Sequence, residues 1–356
     1  MATPPLAEVL VAAVLAAALL SLAGTAMMRR IALRYGIADA PNERRINTVT
    51  VPRAGGFAIA LSFTAVGALL VALAEPLGLD VGTGVARLRE SGAPALLLGV
   101  LAAAGIGLLD DRFDLRARWQ LVGQVAVALI PIAFGLRILF VALPFGSGLL
   151  LFSDTVGVAV TIVWILGMQN AMNFIDGLDG LSGGIALIAA LTLGLLAVES
   201  TPLLAALCFA LVGAIAGFLR FNVHPASIYM GTSGIQSVAL ALAILALLGA
   251  AKVAAALLIL GIPVIDAFFV IAGRVAAGRS PYSADRSHIH QRLLDAGLGH
   301  RDTVTLLWGA TALLALAALL LPERVTLAAF AALLVALGGT IAWLQRNRRR
   351  TGGSGR

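Results

Sequence analysis

Long apolar runs separated by short polar segments are the dominant pattern of this 356-residue chain. A helix needs about 20 mostly apolar residues to cross a bilayer. We count eleven candidate spans, at 6–28, 55–75, 94–109, 119–135, 154–172, 181–198, 202–219, 235–250, 252–273, 303–321 and 326–344. The pattern predicts an all-α polytopic integral membrane protein with about eleven transmembrane helices. Residues 1–344 would form one transmembrane domain, and 345–356 a basic tail.

Two apolar stretches need separate treatment. The segment 137–153 is interrupted by Pro144 and two glycines, so we expect an external hairpin or re-entrant piece and not a span. The first run resembles a signal peptide, but its arginines, Arg29 and Arg30, follow the apolar residues instead of preceding them. This order favours a retained first helix with its N-terminus outside.

Composition agrees with the pattern, because 60% of the residues are hydrophobic and only 12% are charged, against about 25% charged in soluble domains. With the N-terminus outside, 20 of the 25 lysines and arginines fall on the cytoplasmic side. The net charge of +7 is therefore interpreted as the positive-inside bias and not as a nucleic-acid surface. A single cysteine, Cys208, excludes a disulfide framework and a CxxC metal site.

A first carboxylate cluster, DDRFD, ends the third predicted span. Adjacent Asp110 and Asp111 repel each other, which raises one pKa unless a cation intervenes. A metal ligand or proton acceptor would justify such a pair, whereas a solvated helix end is the simpler alternative. If the helix continues, Asp110 and Asp114 share a face.

A second cluster, NAMNFIDGLDGLSGG, follows the fifth predicted span. Its polar residues recur every third position and would form one stripe on a helix: Asn170, Asn173, Asp176 and Asp179. Such oxygen ligands suit Mg²⁺ together with substrate phosphates. A polar turn between two spans is the alternative, but a turn does not require two amides and two carboxylates in register.

The loop 278–297 carries arginines and two histidines. Arg286 can neutralise phosphate, and His288 and His290 can bind phosphate or shuttle protons. An ordinary positive-inside loop explains the pattern equally well. Asp266, inside the ninth predicted span, needs a partner, and we expect a structural pairing.

The loop 39–56, between the first two spans, is also basic. Arg44 and Arg53 could contact phosphate, although a plain basic loop is the simpler interpretation. Taken together, the four clusters indicate a cationic, Mg²⁺-competent site that faces the cytoplasm and opens to the bilayer. This chemistry suits a phosphorylated soluble donor and a phosphorylated lipid.

The four clusters resemble, in order and spacing, the polyprenyl-phosphate N-acetylhexosamine-1-phosphate transferases. The resemblance rests on NAMNFIDGLDGL, DDRFDL, DRSHIH and DAPNERR with PRAGG. It implies transfer of a sugar 1-phosphate from a UDP-N-acetylhexosamine to polyprenyl phosphate, with release of UMP. It also implies Mg²⁺ with Mn²⁺ as the alternative ion, a cytoplasmic active site in a bacterial plasma membrane, and a role in starting cell-wall or lipopolysaccharide glycans. A homodimer is compatible with such a fold.

Residue by residue, the resemblance implies three groups of site residues. The catalytic group is Asp110, Asp111 and Asp176. The substrate-binding group is Asp179, Asn170, Arg44, Arg53, Arg286, His288 and His290. The metal group is Asn173, Asp176 and Thr232.

The chain departs from the family pattern at several of these places. The family motif MGDxGS appears as MGTSGI, so Thr232 replaces a metal-binding aspartate and Ile235 a serine. Asn47 replaces a usual histidine, and Gln120 a usual basic residue. Because a hydroxyl is a poorer Mg²⁺ ligand than a carboxylate, a catalytically lapsed lipid-carrier or sugar-nucleotide binding protein is the main alternative.

Two further classes agree less well with the pattern. A transporter would have its polar site near the midplane and interrupted helices in two halves, whereas here the carboxylates gather at one face. An intramembrane aspartyl protease would need aspartates inside the spans, whereas Asp110 and Asp176 lie at predicted helix ends.

Overall fold

The computed structural model describes residues 4–39, 50–82, 84–142, 148–249, 252–280, 288–322 and 325–336. Within these ranges the chain is mostly helical, as its apolar runs predict. The helices are α1 (Leu6–Tyr35), α2 (Gly56–Ala72), α3 (Val85–Phe113, with a π-helical turn at Leu88–Gly92), α4 (Ala117–Ala133), α5 (Asp154–Ile175), α6 (Leu181–Ala197), α7 (Pro202–Asn222), α8 (Gly231–Leu248), α9 (Lys252–Ile259), α10 (Gly261–Ala276), α11 (Ile289–Asp295), α12 (His300–Leu320) and α13 (Val325–Ala336).

Six of the described helices are long and apolar enough to cross a membrane, and the number is seven if the bent pair α9 and α10 counts as one span. The two helices of that pair meet at 76°. Each of the eleven predicted spans overlaps a helix, but α2, α4 and α6 have 17 residues. At 1.5 Å per residue these three reach about 25 Å, less than the roughly 30 Å hydrocarbon core. The multi-pass membrane class is therefore confirmed, whereas the count of eleven spans is not.

The centre of the bundle is formed by α7 and α8. Most of the apolar window of each is buried inside the protein, 89% and 83% respectively, against 28% for α1. Close backbone packing brings α2 against the start of α8, because a Cβ added to Gly56 would lie 2.8 Å from the backbone nitrogen of Gly234. Small residues allow such approach between membrane helices. This packing fixes the N-terminus of α8 beside the ends of α2 and α3.

Two short antiparallel sheets complete the described structure. Strand β1 (Ala38–Asp39) pairs with β2 (Val51–Pro52), which holds the end of the α1 segment next to Arg53. Strand β3 (Phe140–Ala142) pairs with β4 (Leu149–Leu151). The second pair is the hairpin predicted for 137–153, although Pro144 itself lies outside the described residues.

Two helices end earlier than the sequence pattern suggested. Helix α3 stops at Phe113, and Asp114 takes a left-handed conformation with φ 50°. Asp110 and Asp114 therefore do not share a helical face. Helix α5 stops at Ile175, so the expected polar stripe holds for Asn170 and Asn173 only. The two aspartates of the motif lie in the following turn, where loop geometry decides their directions.

Candidate active site

The carboxylate of Asp111 lies against the N-terminus of α8. It accepts hydrogen bonds from the backbone N–H of Thr232 at 2.8 Å, the backbone N–H of Ser233 at 3.1 Å and the Ser233 hydroxyl at 2.7 Å. The first N–H groups of a helix have no intrahelical acceptor and favour an anion. Gly231 has φ 72°, and a Cβ there would lie 2.6 Å from Asp111 Oδ2. The N-terminus of α8 is therefore an anion-binding position, and the carboxylate of Asp111 occupies it.

The neighbouring carboxylate of Asp110 is held by three uncharged donors. It accepts from the Leu115 backbone N–H at 2.9 Å, from Gln120 Nε2 at 2.9 Å and from the Thr232 hydroxyl at 2.6 Å. Both carboxylates are buried. Two departures from the family pattern, Gln120 and Thr232, therefore contact the same carboxylate, and both are neutral.

Arg53 lies next to this pair. Its guanidinium is 3.6 Å from Asp111 Oδ1 and 3.3 Å from Asp39 Oδ1. Arg53 follows strand β2 directly, and the β1–β2 pairing places it at this position. The arrangement supplies a cation at the carboxylate cluster, and the predicted contact of Arg53 with phosphate stays a prediction. Arg44 and Asn47, from the same loop, lie outside the described residues.

Asp176 follows the last residue of α5 and accepts a short hydrogen bond from the Ser182 hydroxyl. Withdrawal of the carboxyl from water raises its pKa to about 6. The Ser182 hydrogen bond and the Arg53 charge oppose this rise, whereas the carboxylates of Asp111 and Asp179 add to it. Asp176 therefore belongs to the same electrostatic cluster as Asp111 and Arg53, and it titrates near neutral pH.

The glycine after Asp176 links this turn to the histidine helix α11. A Cβ added to Gly177 would lie 2.7 Å from Cε1 and 2.9 Å from Cδ2 of the His290 ring, and nearer still to Nε2. Burial, and secondly the charge of His288, lower the pKa of His290 to about 4, with Asp266 opposing. His290 is therefore a neutral ring packed on the turn near neutral pH. Its predicted role in binding phosphate stays a prediction.

His288 is oriented by Asp266, which extends from α10. His288 Nδ1 is 2.8 Å from Asp266 Oδ2, and the Ile289 backbone N–H donates to Asp266 Oδ1 at 2.9 Å. Because a carboxylate accepts, Nδ1 carries the proton of this bond and Nε2 is the nitrogen that remains for a ligand. Phe174 packs against the ring, with centroids 5.1 Å apart. The structural pairing expected for Asp266 is confirmed, and its partner is a predicted site residue.

The two asparagines of the motif differ in their surroundings. Asn170 donates to Gln124 Oε1 at 3.0 Å and to the Leu166 carbonyl at 2.8 Å, so its amide belongs to the packing between α4 and α5. Asn173 is partly exposed and lies one turn before Asp176. Of the two, Asn173 is better placed for a ligand.

Asp179 is engaged elsewhere. Its Oδ2 is 2.7 Å from His224 Nδ1 and accepts from the Ala226 backbone N–H at 3.1 Å. The three-residue spacing from Asp176 suggested a common ligand, but the carboxylate bonds with the loop after α7. Arg286, predicted to contact substrate, lies outside the described residues.

A small, partly open crevice lies beside Asp110 between α3, α4, α5 and α8. Four glutamines line it: Gln120, Gln124, Gln169 and Gln236. Sequence reasoning did not include the last three of these residues, nor Ser182, Ser233 and His224. Polar residues inside otherwise apolar spans were the available signal for the glutamines. The serines carried no signal beyond their nearness to the motifs.

Comparison with known proteins identifies relatives of this chain. The family model described as glycosyl transferase family 4 matches residues 93–250, a range that contains both carboxylate clusters and Thr232. A probable undecaprenyl-phosphate N-acetylglucosaminyl 1-phosphate transferase of Bacillus subtilis is 32% identical over 292 residues, covering 80% of this chain and 77% of the relative.

Two further relatives extend the comparison. A decaprenyl-phosphate N-acetylglucosaminephosphotransferase of Mycobacterium tuberculosis is 33% identical over 321 residues, covering 83% of this chain and 78% of the relative. An undecaprenyl-phosphate alpha-N-acetylglucosaminyl 1-phosphate transferase of Yersinia pestis is 29% identical over 336 residues, covering 88% and 86% respectively. The similarity therefore extends over most of each chain.

Proposed function

The chain belongs to glycosyl transferase family 4, and we propose that it transfers N-acetylglucosamine 1-phosphate from UDP-N-acetylglucosamine to polyprenyl phosphate. UMP leaves, and a polyprenyl-diphospho-sugar remains in the membrane. The single observation that carries the proposal is the cluster of Asp110, Asp111, Asp176 and Arg53 at the ends of membrane helices. The names of the relatives support the choice of sugar and lipid.

In this reaction an oxygen of the lipid phosphate attacks the β-phosphorus of the UDP-sugar, and the bond between that phosphorus and the UMP oxygen breaks. A proton that remains on the lipid phosphate has to leave before or during attack. Among the three carboxylates, Asp176 fits this task because its pKa of about 6 lies near working pH. Asp110 and Asp111 are fixed by protein donors, so we assign them to positioning and charge. Arg53 would neutralise phosphate oxygens.

The histidine helix supplies a second contact. Asp266 holds Nδ1 of His288, so Nε2 would meet the donor diphosphate. His290 is neutral and packs against Gly177, and this contact would fix the position of helix α11 relative to the Asp176 turn. The predicted substrate contacts of Arg44, Arg286, Asn170 and Asp179 remain part of the proposal. Asp179 is the weakest of them, because His224 already engages its carboxylate.

The donor set fits Mg²⁺, with Mn²⁺ as the alternative ion. The guanidinium of Arg53 interacts with the carboxylates of Asp39, Asp111 and Asp176. This leaves net negative charge for a divalent cation, and carboxylate oxygens are the ligands that Mg²⁺ prefers. The partly exposed Asn173 would hold the ion. The predicted metal contact of Asp176 competes with its role as proton acceptor, because a bound cation lowers the pKa of a carboxylate. When bound, the ion supplies positive charge to the diphosphate. The Thr232 hydroxyl donates to Asp110, so Thr232 fits a role in holding that carboxylate better than a role as metal ligand.

We further propose a bacterial plasma membrane location with the N-terminus outside, eleven crossings and a cytoplasmic active site. The arginine distribution and the bacterial relatives support this orientation. The product would initiate a cell-surface glycan, and a homodimer remains compatible with the fold.

One observation favours the second candidate, a lapsed binding protein. The carboxylates of Asp110 and Asp111 already accept hydrogen bonds from protein donors, among them the hydroxyl of Thr232. Such a platform could bind lipid phosphate or sugar nucleotide without turning it over.

The deciding experiment incubates purified protein with undecaprenyl phosphate, Mg²⁺ and a panel of radiolabelled UDP-N-acetylhexosamines. The assay follows label entering the lipid phase and release of UMP. Asp111→Asn is the inactive control, and Thr232→Asp is assayed in parallel. Metal-dependent transfer that is lost in Asp111→Asn supports the enzyme. Transfer by Thr232→Asp alone supports a lapsed enzyme, and no transfer by either protein supports a binding protein.

A further inference from the structure

A cluster of two imidazoles and one carboxylate lies next to the proposed active site and shares one residue, Asp179, with its predicted substrate contacts. It is formed by Asp179 in the turn after α5, His224 in the loop after α7 and His300 at the first position of α12. One ligand atom from each residue lies within 4.8 Å of the other two. The His224 and His300 rings stack with centroids 4.2 Å apart. Sequence motifs did not indicate this group, because the three residues are far apart in the chain.

The chemistry of this cluster differs from that of the carboxylate site. Two ring nitrogens and one carboxylate oxygen are ligands for Zn²⁺ and similar ions, whereas Mg²⁺ selects oxygen. Bonds of about 2.0–2.1 Å to a tetrahedral ion separate two ligand atoms by about 3.3 Å. The separation of 2.7 Å between His224 Nδ1 and Asp179 Oδ2 needs to open slightly, and no ligand separation needs to close by more than about 1.5 Å.

A second observation points to a missing ligand. Nε2 of His300 is buried and has no hydrogen-bond partner among the described residues. An unpaired buried polar atom costs about 1–3 kcal/mol. The cluster is nevertheless reachable from water, because the His224 side chain is 38% exposed and that of Asp179 is 14% exposed.

We propose that Asp179, His224 and His300 form a binding site for a borderline divalent transition ion such as Zn²⁺. Three protein ligands leave one position for water. The ion would join the Asp176–Gly180 turn, the loop after α7 and the start of α12, and would therefore stabilise the motif turn through two further segments of the chain. This site is separate from the proposed Mg²⁺ site and does not rest on the transferase reaction.

The test measures metal binding without sugar nucleotide or lipid. Full-length protein carrying a tag without histidines is purified in detergent, stripped with a chelator and titrated with Co²⁺. The visible absorption of Co²⁺ reports the ligand geometry, and Zn²⁺ is then added as competitor. The variants are His300→Gln and His224→Gln. The matched control is His288→Gln, which removes a histidine that lies outside the cluster.

We expect one equivalent of Zn²⁺ per chain in the wild type and in His288→Gln, with at least tenfold weaker binding in the two cluster variants. We also expect Zn²⁺ to raise the melting temperature of the wild type, since an ion that binds only the folded state stabilises it. This second measurement needs no variant, so a variant that fails to fold does not prevent a decision. Absence of saturable Zn²⁺ binding by the wild type overturns the proposal. Binding that persists unchanged in His300→Gln and His224→Gln also overturns it.

Discussion

The contact between Gly177 and His290 offers the sharpest test of how the site is held together. In Gly177→Ala, the new Cβ would lie 2.7 Å and 2.9 Å from two atoms of the His290 ring, and nearer still to a third. Ordinary carbon contacts are about 3.5–4.0 Å, so the ring edge has to withdraw by about 1 Å. His290 is only 2% exposed, which leaves the ring little room to rotate. The strain therefore passes to the short helix α11.

We expect this displacement to affect activity more than folding. Overpacking of this kind costs about 1–3 kcal/mol, whereas a misplacement of about 1 Å in a catalytic arrangement can cost about 100-fold in rate. The assay is kcat/KM for sugar 1-phosphate transfer, with thermal unfolding measured on the same samples. We expect a loss of about 100-fold in Gly177→Ala and a small change in melting temperature.

Gly167→Ala is the matched control, because Gly167 lies on α5 and a Cβ there meets no atom within 4 Å. Its activity should equal that of the wild type. Wild-type kcat/KM in Gly177→Ala would refute the reasoning, since it would mean that the histidine helix is free to move without consequence. A large loss in Gly167→Ala would equally refute it.

Three other substitutions test separate parts of the site. Ser182→Ala removes a hydrogen bond that lowers the pKa of Asp176. Because Asp176 acts only when it is ionised, the acid limb of the pH profile of kcat/KM should move to higher pH. An acid limb that does not move would contradict this assignment. Asp266→Asn weakens the acceptor that orients His288. Because His288 is assigned to binding the donor diphosphate, we expect the KM for the UDP-sugar to rise at least tenfold. Unchanged kinetics would mean that the pair is only structural. Thr232→Asp replaces the hydroxyl that donates to Asp110 at 2.6 Å by a second carboxylate. The rate of transfer by an active enzyme should therefore fall at least tenfold. A gain in transfer rate would instead support a lapsed enzyme.

The crevice beside Asp110 brings together polar residues that the sequence pattern did not relate to one another. Four glutamines from helices α4, α5 and α8 converge there. In the sequence they look like isolated polar positions within or at the ends of apolar runs. Only the packing of the helices shows that they line one crevice next to a site carboxylate.

The structure of the motif NAMNFIDGLDGLSGG shows that residue spacing alone does not predict which side chains share a site. A three-residue period predicted one stripe of ligands, yet α5 ends at Ile175 and the stripe ends with it. Asp176 accepts from Ser182 and joins the Arg53 cluster, whereas Asp179 turns to His224. Two similar aspartates three positions apart thus acquire different partners, because a turn and not a helix carries them.

The pattern of apolar and polar residues was enough to predict the membrane class and the approximate helices, and it indicated candidate site residues whose roles stay predictions. These properties are local: apolar runs form helices in a bilayer because every backbone polar group has to be satisfied within the segment. Which of these residues contact one another follows only from the packing of the helices. Asp111 finds its donors at Thr232 and Ser233, and Gly177 meets His290. Such contacts depend on how closely distant helices pack, as at Gly56 and Gly234, and a one-dimensional pattern of apolar and polar residues does not encode those distances.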